Sequence, residues 1–271
     1  MYEEAFLISQ RDYFESRMSA PLRCTVYYGL RRFLLLAPTF VLAPQTPYRR
    51  LTPTLLLSCK EPFQLEVNDD APRSIRAALI APKVLRRRVI AVDSDMVIFD
   101  LPMHSVVTTE PVRELDFARF EPLLPALAEA FPGRLPSVDA DRLFEAAVRL
   151  IEDSPPEPHH DARIEHALRL IDELPFDEVT VTELSRRLGL SPSRLRHLFK
   201  DVTGHTISHY ARWAAVWRAC SLWSQGRRLT EIAHEVGFHD LAHLDHAFIE
   251  VFGMNPSSVI DPANVTLIRC T

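Results

Sequence analysis

Seven glycines are spread through 271 residues, so a glycine-rich loop that cradles the phosphates of a nucleotide has little to be built from. Cysteine is scarcer. Cys24, Cys59, Cys220 and Cys270 stand far apart with no C-x-x-C pair among them, which argues against a disulfide framework and against a thiolate zinc site. No apolar run approaches the roughly 20 uncharged residues that cross a bilayer, so no membrane partner is expected. Residues 1–11 carry Glu3 and Glu4 where a secretory signal carries basic residues, and a cytoplasmic location is expected. A basic surplus is missing too. The 31 Lys and Arg face 36 Asp and Glu, a formal net charge of −5, so docking on phosphates has to come from local clusters. Before residue 154 the only histidine is His104, which leaves no His and carboxylate cluster for a catalytic metal. With no acid, base and nucleophile constellation either, the chain reads as no enzyme, with no cofactor and no metal.

What is present divides the chain. Its length suits two domains with separate cores. Between residues 22 and 102, short runs rich in Val, Ile, Leu, Phe and Tyr recur at 25–36, 54–59, 63–67, 75–81 and 96–101, broken by Pro and polar pairs. Such spacing predicts a small all-β domain, sandwich or barrel. After Pro111 the period becomes helical: Phe117, Phe120, Leu123, Leu124 and Leu127, then Leu143, Ala146, Ala147, Leu150 and Ile151. Their apolar faces suit packing on the β domain or a homodimer seam, and the dimer is the favoured reading. A proline-rich segment, residues 154–160, reads as a stiff linker.

Beyond the linker one pattern occurs twice. In residues 182–200, Gly189 ends a first helix, Ser191 can cap a second and Pro192 sits where a helix start tolerates it. Leu195, Leu198, Phe199 and Val202 fall on one face of that second helix. The opposite face carries Ser193, Arg196, His197 and Lys200, with Arg194 beside it. A basic, polar face of this kind fits the major groove, where Arg pairs with guanine and Lys or Arg neutralises phosphates. About fifty residues on, residues 229–238 give another helix and turn, with Asp240 as cap and Leu244, Ala247, Phe248 and Val251 as the packed face of the next helix. A long helical stretch, residues 207–225, joins the units. Two readers fixed to one helix can enter successive grooves roughly 34 Å apart.

These residues resemble the AraC/XylS family over about residues 162–260. The second unit carries the likeness through Ile232-Ala233, Val236-Gly237-Phe238, Asp240, His243, Ala247-Phe248 and Phe252-Gly253-Met254-Asn255-Pro256-Ser257; the first adds Leu188-Gly189-Leu190-Ser191, Leu195, Leu198-Phe199-Lys200 and Gly204. The resemblance implies an α+β chain. Residues 1–153 would be a regulatory domain, a small β-barrel or cupin-like sensor with a helical dimerisation segment. Residues 161–262 would be an all-α DNA-binding domain with two helix-turn-helix units. It further implies a bacterial, sequence-specific transcription regulator, an activator more than a repressor, that binds double-stranded DNA, works as a homodimer, meets RNA polymerase and answers to a small-molecule effector or a protein partner. By position, the DNA contacts it implies are Ser193, Arg194, Arg196 and His197 in the first unit, which Lys200 joins from the basic face of the same helix, and Ala242, His243 and His246 in the second.

Two departures stand out: His246, after Asp245, where relatives carry arginine, and Ala215 where a basic residue is frequent. Basic residues concentrate at Arg186, Arg187, Arg194, Arg196 and Lys200, so the first unit is expected to dominate readout. His239, His243 and His246 are spaced i, i+4 and i+7, which allows a metal or a titrating face, although a groove-facing polar surface is the plainer reading. Arg86-Arg87-Arg88 reads as a solvated strand edge that blocks aggregation rather than an anion site. Phe33, Leu35, Leu56 and Phe99 are candidates to line an apolar ligand cavity or simply to fill a core.

Overall fold

A computed structural model describes residues 24–29, 32–42, 47–101, 106, 108, 110–151, 161–223, 227–252, 256 and 265–270. Residues 1–11, His104, the linker at 154–160 and the motif residues 253–255 and 257 lie outside the described residues.

Among the described residues the β region has twelve strands: β1 (Cys24–Gly29), β2 (Arg32–Ala37), β3 (Phe40–Leu42), β4 (Tyr48–Arg49), β5 (Thr54–Ser58), β6 (Phe63–Val67), β7 (Arg73–Ile75), β8 (Ala77–Ile80), β9 (Leu85–Ala91), β10 (Met96–Asp100), β11 (Val112–Glu114) and β12 (Val265–Arg269). They form a seven-stranded sheet in the order β11-β8-β5-β10-β2-β1-β12 and a smaller one, β3-β9-β6-β7, with β4 also on β9. No strand pairing joins the two among the described residues, so the expected barrel is an open sandwich. The reason lies in the strands themselves. Every residue of β5, β8 and β10 is buried, because these strands are continuous apolar runs rather than alternating ones and need cover on both faces.

One face of the large sheet, with Phe33, Leu35, Leu56 and Ile98, packs with Phe63, Leu65 and Val89 of the small sheet. The other face, with Tyr27, Leu34, Leu55 and Phe99, is covered by helices. A 3-10 helix (Phe117–Leu123) leads into α1 (Leu124–Ala130), and α2 (Ser137–Ile151) follows. Phe120, Leu127, Leu143, Phe144 and Ile151 are buried on the sheet, Phe99 meets Phe144 edge-on at 5.5 Å, and Thr25 Oγ1 donates to the Phe131 carbonyl at 2.7 Å. The apolar faces read as a dimer seam are thus spent on the sheet. Likewise Phe99 does not share a cavity with Phe33, Leu35 and Leu56, since adjacent strand residues face opposite sides.

The arginine run needs correction as well. It lies on β9, which pairs with β3, β4 and β6 and is no edge. Arg86 is buried and donates to Thr54 Oγ1 at 2.8 Å. Burial lowers its pKa to about 10, still leaving it charged at neutral pH. Arg87 pairs with Asp69 at 2.5 Å and Arg88 with Glu66 at 3.5 Å.

The helical region holds α3 (Ala162–Glu173), α4 (Val181–Leu188), α5 (Pro192–Thr203), α6 (Ile207–Trp223), α7 (Leu229–Glu235) and α8 (Leu241–Phe252). Its core is continuous with that of the sandwich. At the junction, Phe33 of β2 stacks with Trp217 of α6 at 4.9 Å, and Trp217 with Phe252 of α8 at 5.0 Å. Lys83 Nζ donates to the Gly204 carbonyl at 2.9 Å, where α5 ends. Then the chain returns: β12 pairs in parallel with β1, Cys24 opposite Val265, an element beyond the last residue assigned to any domain from sequence. Among the described residues no helix is long and apolar enough to cross a membrane.

Candidate nucleic-acid interface

The first bihelical unit is closed by local chemistry. Thr180 Oγ1 accepts the Glu183 amide at 3.1 Å at the start of α4, and Gly189, at φ 65°, ends the helix in the left-handed conformation that glycine adopts without strain. Ser191 Oγ accepts the Arg194 amide at 3.3 Å, and Pro192 opens α5. Leu195 and Phe199 are buried, with Leu198 and Val202 half-buried beside them. Ser193, Arg194, Arg196, His197 and Lys200 are all exposed, as one basic and polar surface. Within it, His197 Nδ1 lies 2.8 Å from the Ser193 carbonyl.

The five clustered cations are not equivalent. Glu183 holds Arg186 at 2.7 Å and Arg187 at 2.6 Å. Hydrogen bonds from Arg186 and then Arg187 keep its carboxyl at about 2, so both arginines of α4 are matched by a nearby charge. Arg194, Arg196 and Lys200 of α5 form no ion pair among the described residues. The positive field is therefore concentrated on the second helix of the unit.

The second unit is built more tightly and exposes less. Gly237, at φ 87°, is buried where α7 turns toward α8, and a Cβ there would run into the backbone of Phe176 and Asp177. Phe176 reaches this point through its amide, which donates to the Val236 carbonyl at 2.9 Å. Asp240 caps α8, its Oδ1 accepting the His243 amide at 2.7 Å; that bond, and the neighbouring His239 imidazole, lower its pKa. Leu244, Ala247, Phe248 and Val251 are buried as the periodicity predicts.

Of the predicted contacts here, Ala242 is exposed. His243 is half-buried, its ring edge-on to Phe238 at 5.0 Å and to Phe176 at 6.0 Å. His246 is exposed but lines a cavity shared with Tyr48 and Arg49 of β4. His239 precedes α8 and lies 3.1 Å from Asp240 Oδ2, so the three histidines do not form one helical face. Ala215 is fully buried on α6; a basic residue has no room there. Sequence reasoning missed Arg49, Arg50, Lys83 and Arg212, which line the same cavity. They are scattered over 164 residues of chain, and no motif or period links them.

The family of helix-turn-helix domains matches residues 184–261. No curated protein matches the chain in sequence. Among solved structures it is similar to ToxT from Vibrio cholerae O395, at 12% identity and TM-score 0.53 over 84% of this chain and 96% of that one. It is also similar to a ligand-free, single-residue variant of ToxT from V. cholerae strain SCE256, at 11% identity and TM-score 0.55 over 84% and 96%. A third is ToxT of that strain bound to an unsaturated fatty acid, at 12% identity and TM-score 0.51 over 83% and 93%. At these identities the likeness is one of fold.

Proposed function

We propose that this chain, a DNA-binding transcription regulator of the AraC type by its helix-turn-helix domain, is a bacterial, cytoplasmic, sequence-specific activator whose first domain controls DNA binding in response to an effector or partner. The observation that carries this reading is the exposed surface of α5, where three cations that form no ion pair among the described residues stand on a helix capped at its start and packed along its back. On such a surface Arg194 and Arg196 suit base edges, and Lys200 a phosphate. Ser193 and His197 complete that face. Ala242, His243 and His246 are the corresponding contacts in the second unit, with the smaller share of the readout. The working division is a regulatory domain at 1–153, a linker at 154–160 and a DNA-binding domain at 161–262. Homodimer formation and contact with RNA polymerase follow from the family resemblance. One ToxT structure holds an unsaturated fatty acid, and a small-molecule effector is expected here by analogy.

A genome-wide binding footprint identifies the sites, and anisotropy against a footprint site and random DNA then tests the reading. Arg196→Ala is expected to weaken specific binding by about 1–3 kcal/mol and to relax preference at one base. Lys200→Ala is expected to weaken all sequences alike and to lower the salt slope by about 1. Equal losses on specific and random DNA for both substitutions would reject the assignment.

A further inference from the structure

A cavity of about 620 Å³ opens between β4 and the β8–β9 turn of the first domain and α6 and α8 of the second. Its volume suits a small organic molecule. The walls are charged unevenly: Arg49, Arg50, Lys83 and Arg212 face two acids, Asp100 and Glu250, a formal surplus of two positive charges, with His209 and His246 also in the lining. Arg50 is the telling member. It is only 6% exposed, and its Nη1 stands 3.6 Å from Asp100 Oδ2, outside hydrogen-bond range. The other oxygen of that carboxylate, Oδ1, accepts from Thr52 at 2.5 Å and Thr54 at 3.1 Å, which holds the carboxylate in place. Arg86, buried in the same layer, hydrogen-bonds Thr54 and feels the charge of Asp100 without pairing with it.

Among the described residues Arg50 Nε and Nη1 have no hydrogen-bond partner; Arg212 pairs through Nη1 with Glu250 at 2.6 Å, and its Nε alone is unmatched. Buried, charged N–H groups left without acceptors cost free energy, and here they border a cavity that an acceptor can enter. Tyr48, Leu51, Trp213 and Ile249 supply apolar wall between the charges, enough for a carbon skeleton.

We propose that this cavity binds a small organic anion carrying at least two negative charges, as carboxylate or phosphate. A long-chain acid with one charge would leave half of the surplus unmatched. Because both domains contribute wall, and because α8 contributes His246, occupancy clamps the first domain against the second reading helix. This inference gives chemical content to the effector control proposed above, and rests on it for that consequence alone.

The test uses the full-length protein and its tryptophan fluorescence, since Trp213 lines the cavity and Trp217 packs behind it. Citrate and fructose 1,6-bisphosphate are the probes, with oleate as the singly charged control. A saturable change with citrate or the bisphosphate is expected, and the tighter of the two distinguishes carboxylate from phosphate. Arg50→Gln should weaken binding about tenfold or more. Arg49→Ser, at an exposed position, should weaken it in a protein whose circular dichroism is unchanged. No saturation with either polyanion at millimolar concentration would overturn the site, as would affinities that neither substitution alters or preferential binding of oleate. The titration contains no DNA. Failure there with DNA binding intact removes the site alone, whereas wild-type protein that binds anion but no DNA removes the regulator reading.

Discussion

The two bihelical units share a motif and differ in what they present. In the first, α5 is capped by Ser191, and five polar or basic side chains point to solvent. In the second, α8 is capped as well, by Asp240, but His243 is wedged against Phe238 and Phe176 and His246 faces the first domain across the cavity. The same turn thus builds an open basic surface in one place and a partly covered one in the other. A helix-turn-helix backbone sets where a helix can go; its exposed residues, and whatever lies over them, set what it can read.

The sharpest way to probe that contrast is at the two turn glycines. Gly237→Ala adds a methyl group against the Phe176 backbone at a left-handed φ, and should cost about 2–5 kcal/mol, the sum of overpacking and conformational strain. Gly189→Ala has nothing within 4 Å of the new atom and should cost about 1–2 kcal/mol. Urea unfolding of both variants measures this, and equal losses would erase the difference in packing. Next comes readout: His246→Ala should change specific DNA affinity by less than about 0.5 kcal/mol, against about 1–3 kcal/mol for Arg196→Ala. Anisotropy showing the reverse order would make the second unit the principal reader. At the caps the units should agree, Ser191→Ala and Asp240→Ala each lowering stability by about 1 kcal/mol in thermal unfolding.

The smallest effect concerns the charge held on α4. The Glu183 carboxyl is depressed from 4.5 to about 2 in the folded chain, so its contribution is complete above the unfolded pKa and disappears as pH falls through about 2. A carbon-detected NMR titration should find its midpoint far below that of a free glutamate, and a midpoint above 4 would release Arg186 and Arg187 into the same class as Arg194 and Arg196.

Local chemistry was the legible part. Gly189, Ser191, Pro192 and Asp240 announce where helices end and begin because each acts on its own backbone within a few residues. The exposed face of α5 was equally readable from the period of Leu195 and Phe199. What failed to show were matters settled over long distances. The apolar stripes of α1 and α2 fit a sheet or a second copy equally well, and only the doubly apolar strands β5, β8 and β10 hinted that the large sheet needed a second cover. Arg86, Arg87 and Arg88 looked alike in sequence, yet alternate residues of a strand face opposite sides, so one is entombed while its neighbours find acids. The cavity residues converge from five separate stretches, which no single-sequence pattern reveals.

β12 is a mechanical tether. After the helical region the chain comes back to lay β12 alongside β1, five residues in register from Cys24 with Val265 to Tyr28 with Arg269. A module attached by one cord can swivel; one whose following strand is also hydrogen-bonded into its neighbour's sheet is restrained in how it can turn. Unpairing β12 is therefore expected to loosen the hold of the helical region on the sandwich while leaving the exposed face of α5 as it is.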